Sequence, residues 1–269
     1  MNKILEIKNL SLSINSKNLL KNISLSINKG EFFTLVGPNG SGKSSLLKVI
    51  MGIISTAHKF KGEVLLEGKN KNIYNQKEIA TIITYLPQIN SSNHFFVDEF
   101  LKMSRYAHRN RFNSSKKEDE NIVKQIVEVL NIGPFLGRTI SSLSGGEQQK
   151  IYLAASIIQQ PKLLLLDEPN TFLDPKYQYE INLLLKRINR EMKVSILLAT
   201  HDLNMALIQS DKILILKNGE LIFNGISDDL KKSDILSTVF ERKFCFSNNP
   251  NTNQIFILPD TFSDSGEKK

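Results

Sequence analysis

The sequence predicts an α/β fold built on a parallel sheet with helices on both faces. Three observations predict it. Phe32-Phe33-Thr34-Leu35-Val36 is a continuous apolar run that ends at glycines, as a strand buried on both faces does. Strand-like runs at Leu163 to Leu166, Val194 to Thr200 and Lys212 to Leu216 alternate with helical patterns, the rhythm of a sheet covered on two sides. The length of 269 residues allows one substantial domain with a smaller appendage.

Taken in order, Ile4-Leu5-Glu6-Ile7 and Ile23-Ser24-Leu25-Ser26-Ile27 alternate and read as strands of a small antiparallel unit, the second closed by Asn28-Lys29-Gly30. After the apolar strand a helix starts near Ser44. Ile122, Ile126, Val129 and Leu130 recur at helical spacing until Gly133-Pro134 stops them. Glu147 to about Gln160 forms the next helix, ended by Pro161. Another begins at Pro175 with Asp174 as its cap and Ile181, Leu184, Leu185 and Ile188 as its buried stripe. Asn218-Gly219 is a hairpin turn signal. Arg109 to Glu120 is polar and mixed in charge, an exposed loop or helix start without a functional signal. From about Ile226 the α/β rhythm stops, and Ile255-Phe256-Ile257-Leu258 reads as a short strand before a polar end.

Composition bounds the function. Hydrophobic residues at 41% and charged residues at 23% are ordinary for a globular chain. The longest apolar runs fall far short of the roughly 18 residues that cross a bilayer. Glu6 interrupts the N-terminus before a secretory apolar region forms, so no export signal is expected. The single Cys245 allows neither an internal disulfide nor a sulfur-rich metal motif, and the expected address is cytosolic. The net charge of +8 is scattered, with no aromatic-interleaved basic stripe, and is assigned to a Lys-rich composition rather than to nucleic acid. His58, His94 and His108 show no metal-ligand spacing and are read as structural or surface residues.

Chemistry concentrates in three places. Gly37-Pro38-Asn39-Gly40-Ser41-Gly42-Lys43-Ser44, followed by Ser45, matches the phosphate-binding loop pattern between a buried strand and a helix. Its glycines let the backbone wrap closely, its N–H groups attract phosphate, Lys43 reaches the β- and γ-phosphates and Ser44 holds Mg²⁺. Leu163-Leu164-Leu165-Leu166-Asp167-Glu168 sets two acids at the carboxyl end of a strand, where ligands of open α/β sheets collect. Asp167 suits the metal and Glu168 the attacking water, with a purely structural strand end as the alternative. Leu143-Ser144-Gly145-Gly146-Glu147 opens a helix with small residues and is either a second anion site or an N-cap serine beside flexible glycines.

With Gln88 after Tyr85-Leu86-Pro87, and with His201, this ordered set resembles the motifs of ABC ATPases over about residues 4 to 225. The resemblance implies a P-loop NTPase with a mixed central sheet, an antiparallel β subdomain and a helical subdomain at about residues 89–160. The nucleotide-binding domain then spans 1–225, and 226–269 form a C-terminal accessory element and polar tail. It also implies a head-to-tail dimer in which Ser144 and Gly146 of one chain cap the γ-phosphate of ATP held by Lys43 of the other. Gln88 senses Mg²⁺ and the permease, Asp174 belongs to the loop linking the two sites, and His201 contacts the γ-phosphate. The plainer alternatives are a solvated loop residue for Gln88 and a helix cap for His201.

Two positions depart from the family pattern. Counting back from Leu19-Leu20-Lys21-Asn22-Ile23 puts Ile14 where the family has an aromatic on adenine, which implies apolar contact only and weak discrimination among nucleotides. Asn170-Thr171-Phe172-Leu173-Asp174 stands where the family more often has Thr after Pro169. Within the family, Ile83-Thr84-Tyr85-Leu86-Pro87-Gln88 and Arg105-Tyr106-Ala107-His108 are similar to importers of iron-siderophores, haem and cobalamin, with zinc or manganese importers as the second reading. The implied partners are membrane permease subunits, a second ATPase chain and, indirectly, a substrate-binding protein, at the cytoplasmic face of the membrane. ABC ATPases of DNA or ribosomes fit less well, because only about a hundred residues separate Ser44 from Ser144 and the motif set occurs once. A lone P-loop kinase would leave Ser144-Gly145-Gly146 without a purpose.

Overall fold

The computed structural model describes residues 2–54, 59–88, 94–108, 116–171, 173–248, 250 and 254–260. In chain order its elements are β1 (Lys3–Ile14), β2 (Lys17–Asn28), β3 (Phe32–Val36), α1 (Lys43–Met51), β4 (Lys59–Leu66), β5 (Lys69–Asn70), α2 (Gln76–Ile82) and β6 (Ile83–Leu86). There follow α3 (Val97–Met103), α4 (Lys116–Val129), α5 (Gly145–Ile158), β7 (Leu163–Asp167), α6 (Pro175–Met192), β8 (Ser195–Ala199) and α7 (Leu203–Gln209). The chain closes with β9 (Lys212–Lys217), β10 (Glu220–Gly225), α8 (Ser227–Lys231), α9 (Ile235–Phe240), β11 (Phe244–Asn248) and β12 (Ile255–Pro259). Two compact units emerge. The first comprises Met1–Leu5, Ile27–Glu31 and Leu65–Ile196, and the second Glu6–Ser26, Phe32–Val64 and Leu197–Lys269.

In the second unit β3 is buried at all five positions and pairs in parallel with β9, from Phe33 opposite Lys212 to Val36 opposite Ile215. Its unbroken apolar run is what burial on both faces requires. β9 returns antiparallel into β10 through Asn218 (φ 51°) and Gly219 (φ 79°), the positive-φ pair of a type I′ hairpin. Parallel and antiparallel pairings therefore coexist. Val36, Ile213 and Ile215 share one buried cluster with Ala206, Leu230, Leu236, Val239 and Ile257. Each large side chain buried this way contributes ~1.5–3 kcal/mol, so Leu230, Leu236, Val239 and Ile257 are held by core packing. Asn204 reinforces it, its Nδ2 donating to Ile257 O (3.2 Å) and its Oδ1 accepting from Ile257 N (2.7 Å). The strand expected at Ile255 to Leu258 is β12, and it pairs antiparallel with β11.

The alternating N-terminal segment also lies largely in the second unit, where β1 and β2 run longer than the pattern predicts. Asn15 (φ 47°) and Ser16 (φ 64°) join them in a two-residue turn. Asn9 and Asn22 also take positive φ, and the hydroxyls of Ser24 and Ser11 accept their N–H groups at 2.9 and 3.0 Å.

In the first unit β6 and β7 are parallel, registered from Ile83 opposite Leu163 to Leu86 opposite Leu166. The helices α3, α4 and α5 follow β6. α4 starts earlier than its apolar spacing indicates, because the acidic Glu118 and Asp119 sit in its first turn and favour that end. Residues 109–115 of the polar stretch lie outside the described residues. Arg105 ties the helices together: Nε donates to Asp119 Oδ1 (2.7 Å) and Nη1 to Ile158 O and Gln160 Oε1 (both 3.0 Å). His108 Nε2 donates to Gln159 O (2.6 Å). The Arg105-Tyr106-Ala107-His108 segment thus satisfies the last carbonyls of α5, which a helix leaves without internal partners. In α6, Ile181, Leu185 and Ile188 are buried as expected, whereas Leu184 is only half-buried. Among the described residues no helix is long and apolar enough to cross a membrane.

Candidate functional site

The second unit carries the glycine loop. It leaves β3 at Gly37 and enters α1 at Lys43, with Gly42 as N-cap at φ 109°. A Cβ on Gly42 would lie 2.8 Å from Leu19 O, and one on Gly37 would lie 2.2 Å from Leu216 O. These glycines are demanded by close backbone packing. Gly40, at φ 77° with open space around it, is demanded by conformation alone. Lys43 is 5% exposed and folds back over the loop, Nζ donating to Gly37 O (2.8 Å) and Pro38 O (3.3 Å). No side chain caps α1 and no acid occupies its first turn, so the positive end of the helix dipole is left for an anion.

Ser44 is exposed and Ser45 half-buried in that first turn. Ser41 is buried, its N–H donating to Pro38 O (3.2 Å) and its carbonyl accepting from Gly219 N (2.9 Å). Among the described residues, Ser41 Oγ has no hydrogen-bond partner. Pro38, Asn39 and Ser41 border a pocket of about 270 Å³ shared with Lys217, Asn218 and the end of α9. His201 follows β8 and is exposed. Thr200 N donates to Leu35 O (3.0 Å), which puts the residues after β8 beside the strand that feeds the loop. The cap of α7 is Asp202, whose Oδ1 accepts from Met205 N (2.9 Å), so His201 is not needed for capping. Ile14, the last residue of β1, is half-buried.

The first unit carries the acids. Asp167 ends β7 and is 4% exposed. Tyr85 Oη donates to its Oδ2 at 3.0 Å. Burial, and then the Asp167 charge, push the Tyr85 phenol well above its usual pKa, so it stays protonated and donates. Glu168 is half-buried and sits at φ 50°, a left-handed conformation that costs a non-glycine residue ~1–2 kcal/mol. Thr171 closes the turn behind it, N–H to Glu168 O and Oγ1 to Glu168 Oε2, both 3.2 Å. Gln88 is exposed two residues beyond β6, and residues 89–93, where the helical subdomain was expected to begin, lie outside the described residues.

Ser144 is the N-cap of α5. Its Oγ accepts from Glu147 N (3.4 Å) while Glu147 Oε2 accepts from Ser144 N (2.8 Å), a reciprocal capping box. The Ser144 backbone N–H, helped by its hydroxyl and by Arg138 and Lys150, holds the Glu147 carboxyl below its usual pKa. Gly145 is exposed, whereas Gly146 is buried against Tyr177, where a Cβ would meet three ring atoms at 2.3, 2.5 and 2.7 Å. Gly146 is therefore a packing requirement rather than a flexible joint. Asp174 caps α6, Oδ1 accepting from Tyr177 N (3.0 Å). Of the departing stretch, Asn170 Nδ2 donates to Asn182 Oδ1 (2.6 Å), and Phe172 lies outside the described residues. Sequence reading passed over Tyr85, Thr171 and Tyr177, since none stands out by type or spacing.

A doubly buried strand running through a glycine-lined, lysine-bearing loop into an uncapped helix defines a P-loop nucleotide-binding protein of the α/β class. The ABC transporter family model matches residues 20–171, more than half of the chain, and the chain belongs to that family as one of its ATP-binding ATPases. It is 37% identical over 231 residues to the iron(3+)-hydroxamate import ATP-binding protein FhuC of Bacillus subtilis (strain 168), covering 86% of this chain and 85% of that protein. The petrobactin import ATP-binding protein FpuC of Bacillus anthracis is 35% identical over 212 residues, covering 78% and 77% respectively. Among solved structures, an inward-facing metal-chelate type ABC transporter superposes with a TM-score of 0.81 at 27% identity, over 96% of this chain and 98% of that one. The expected P-loop architecture, with a mixed sheet of parallel and antiparallel strands plus helices, agrees with this likeness of fold.

Proposed function

We propose that this chain is the ATP-hydrolysing subunit of an importer for iron-siderophore chelates, working at the cytoplasmic face of the membrane as one of two cassettes beneath a permease. The observation that carries the ATPase reading is the Lys43 ammonium, buried inside a glycine-lined loop at an uncapped helix start. The FhuC and FpuC names support an iron chelate as cargo, above haem, cobalamin, zinc or manganese.

Residues 37–45 hold the triphosphate, Lys43 at its β- and γ-phosphates. Magnesium suits the donors present. Ser44 offers a hydroxyl and Asp167 a buried carboxylate, both hard oxygen donors. Bound there, magnesium would supply charge neutralisation on the phosphates. Glu168 accepts a hydrogen bond from the attacking water, steadied by Thr171. By their places in the motif set, Gln88 is assigned to the metal and His201 to the γ-phosphate, and Ser144, Gly145, Gly146 and Glu147 to the cap that a second cassette presents. Asp174 belongs to the loop joining the paired sites, and Ile14 gives adenine an apolar contact.

The test is Glu168→Gln in the complete complex with its permease. Nucleotide binding persists, turnover falls ~10²–10⁴-fold, and a dimer accumulates with ATP trapped. Near-normal hydrolysis removes Glu168 from its role, and loss of Mg-ATP binding on Lys43→Ala is required. Stimulation by a binding protein loaded with ferric hydroxamate, and not by zinc, tests the cargo.

A further inference from the structure

We infer that Tyr85 is a positioning residue for magnesium, its hydroxyl holding one carboxylate oxygen of Asp167 so that the other keeps a fixed direction toward the metal. The inference rests on the reading of Asp167 as a metal ligand and deepens it.

β6 and β7 are parallel, with Tyr85 opposite Leu165. Directly paired residues of neighbouring strands share a face, and so do residues two apart on one strand. Asp167 is therefore the diagonal neighbour of Tyr85 on the same face, at a separation that an aromatic side chain spans. The observed Oη to Oδ2 distance of 3.0 Å is that contact. Phenylalanine would fill the same volume and reach the same place, but only the hydroxyl can bond to the carboxylate. With Asp167 4% exposed, water competes poorly for that oxygen, and a hydrogen bond to a charged acceptor is stronger than a neutral one. A hydroxyl bonded to Oδ2 restricts rotation of the carboxylate about χ2 and so limits the directions open to Oδ1. Partners that orient a ligand in this way are typically worth roughly 10–100-fold in metal affinity or activity.

The experiment compares full-length wild type with Tyr85→Phe, Tyr85→Leu and Asp167→Asn. Mn²⁺ binding is read by electron paramagnetic resonance of the free ion, in the presence of a non-hydrolysable ATP analogue. Nucleotide affinity in EDTA reports the loop without metal. Tyr85→Phe is expected to weaken Mn²⁺ about tenfold while leaving metal-free nucleotide affinity at the wild-type value, and to shift the Mg²⁺ dependence of hydrolysis by the same factor with turnover recovered at high Mg²⁺. Wild-type Mn²⁺ affinity in Tyr85→Phe, whether or not Tyr85→Leu loses it, overturns the inference and leaves ring packing as the role of Tyr85. Parallel loss of metal-free nucleotide binding in Tyr85→Phe overturns it in favour of a structural role. Unchanged Mn²⁺ affinity in Asp167→Asn instead sinks the assignment of Asp167 itself.

Discussion

Gly146→Ala adds one methyl group at the start of α5, and its effect can be worked from the structure. An alanine Cβ there would overlap the Tyr177 ring, with its nearest atom at 2.3 Å, far inside van der Waals contact. The ring is not free to swing away, because Lys150 Nζ lies 5.2 Å and Lys176 Nζ 5.9 Å from its centroid and the Tyr177 backbone is held by the Asp174 cap. Overpacking of this kind costs ~1–3 kcal/mol, against up to ~1 kcal/mol gained from the helix propensity of alanine over glycine. The net loss is up to about 2–3 kcal/mol, at roughly 2–4 °C of thermal midpoint per kcal/mol for a chain of this size. Gly145→Ala is the control, since its Cβ would meet only Leu173 Cδ2 at 4.0 Å. Thermal unfolding of the single variants, and of Gly146→Ala combined with Tyr177→Ser, separates the terms. The double variant should show a favourable coupling of about 1 kcal/mol or more, because removing the ring removes the clash. The thermal midpoint should fall for Gly146→Ala and stay at or above wild type for Gly145→Ala. Equal effects of the two alanines, or simple additivity in the double variant, would refute the packing argument.

Arg105→Met breaks a buried ion pair and removes a donor from Ile158 O, so urea unfolding should show a loss of ~3–5 kcal/mol, with Arg105→Lys only partly rescuing because it lacks the forked donor. Thr171→Val removes the hydroxyl bonded to Glu168 Oε2, and at ~0.5–1.5 kcal/mol for that bond kcat should drop about 2- to 10-fold with KM for ATP unchanged, as steady-state kinetics would show. The Glu147 carboxyl titrates below its ordinary value of 4.5 when folded, so its contribution is fully present above that pH and disappears as pH falls through the folded value. Glu147→Gln should therefore be less stable than wild type at pH 7 and converge with it as pH falls through that lowered value, a trend that thermal midpoints across pH can check.

Much of the site was legible because its information is local. Within residues 37–45 the glycines, lysine and serines assigned to phosphate are sequence neighbours, and an apolar strand before them gives their context. The same locality exposed Asp174 beside Pro175 as a cap and Asn218-Gly219 as a hairpin. It would also have exposed α2, where Asn75 and Glu78 form a capping box, but the helix is only seven residues long and carries little periodic signal. Contacts between distant residues were not legible. Tyr85 and Asp167 lie 82 positions apart, and only the register of β6 on β7 makes them diagonal neighbours. Tyr177 reaches Gly146 because α6 packs on α5, so a glycine that looked like slack in the sequence is a fitted surface in the fold.

Glu168 joins the two kinds of information. The sequence marks it by type, and the structure marks it by conformation, at φ 50° immediately after a strand. Other residues in the left-handed region have local reasons. Asn15, Ser16 and Asn218 turn hairpins, Glu67 precedes Gly68 between β4 and β5, and Lys193 and Glu241 terminate helices. Glu168 does none of these, and asparagine or glycine would take its backbone conformation at lower cost. A long acidic side chain kept where the backbone disfavours it, with a threonine hydroxyl on one of its oxygens, fits the role proposed for its carboxylate. The strain is tolerable only because β7 and the Thr171 turn fix the residue from both sides, and it is the fixation that a group aligning a single water molecule needs.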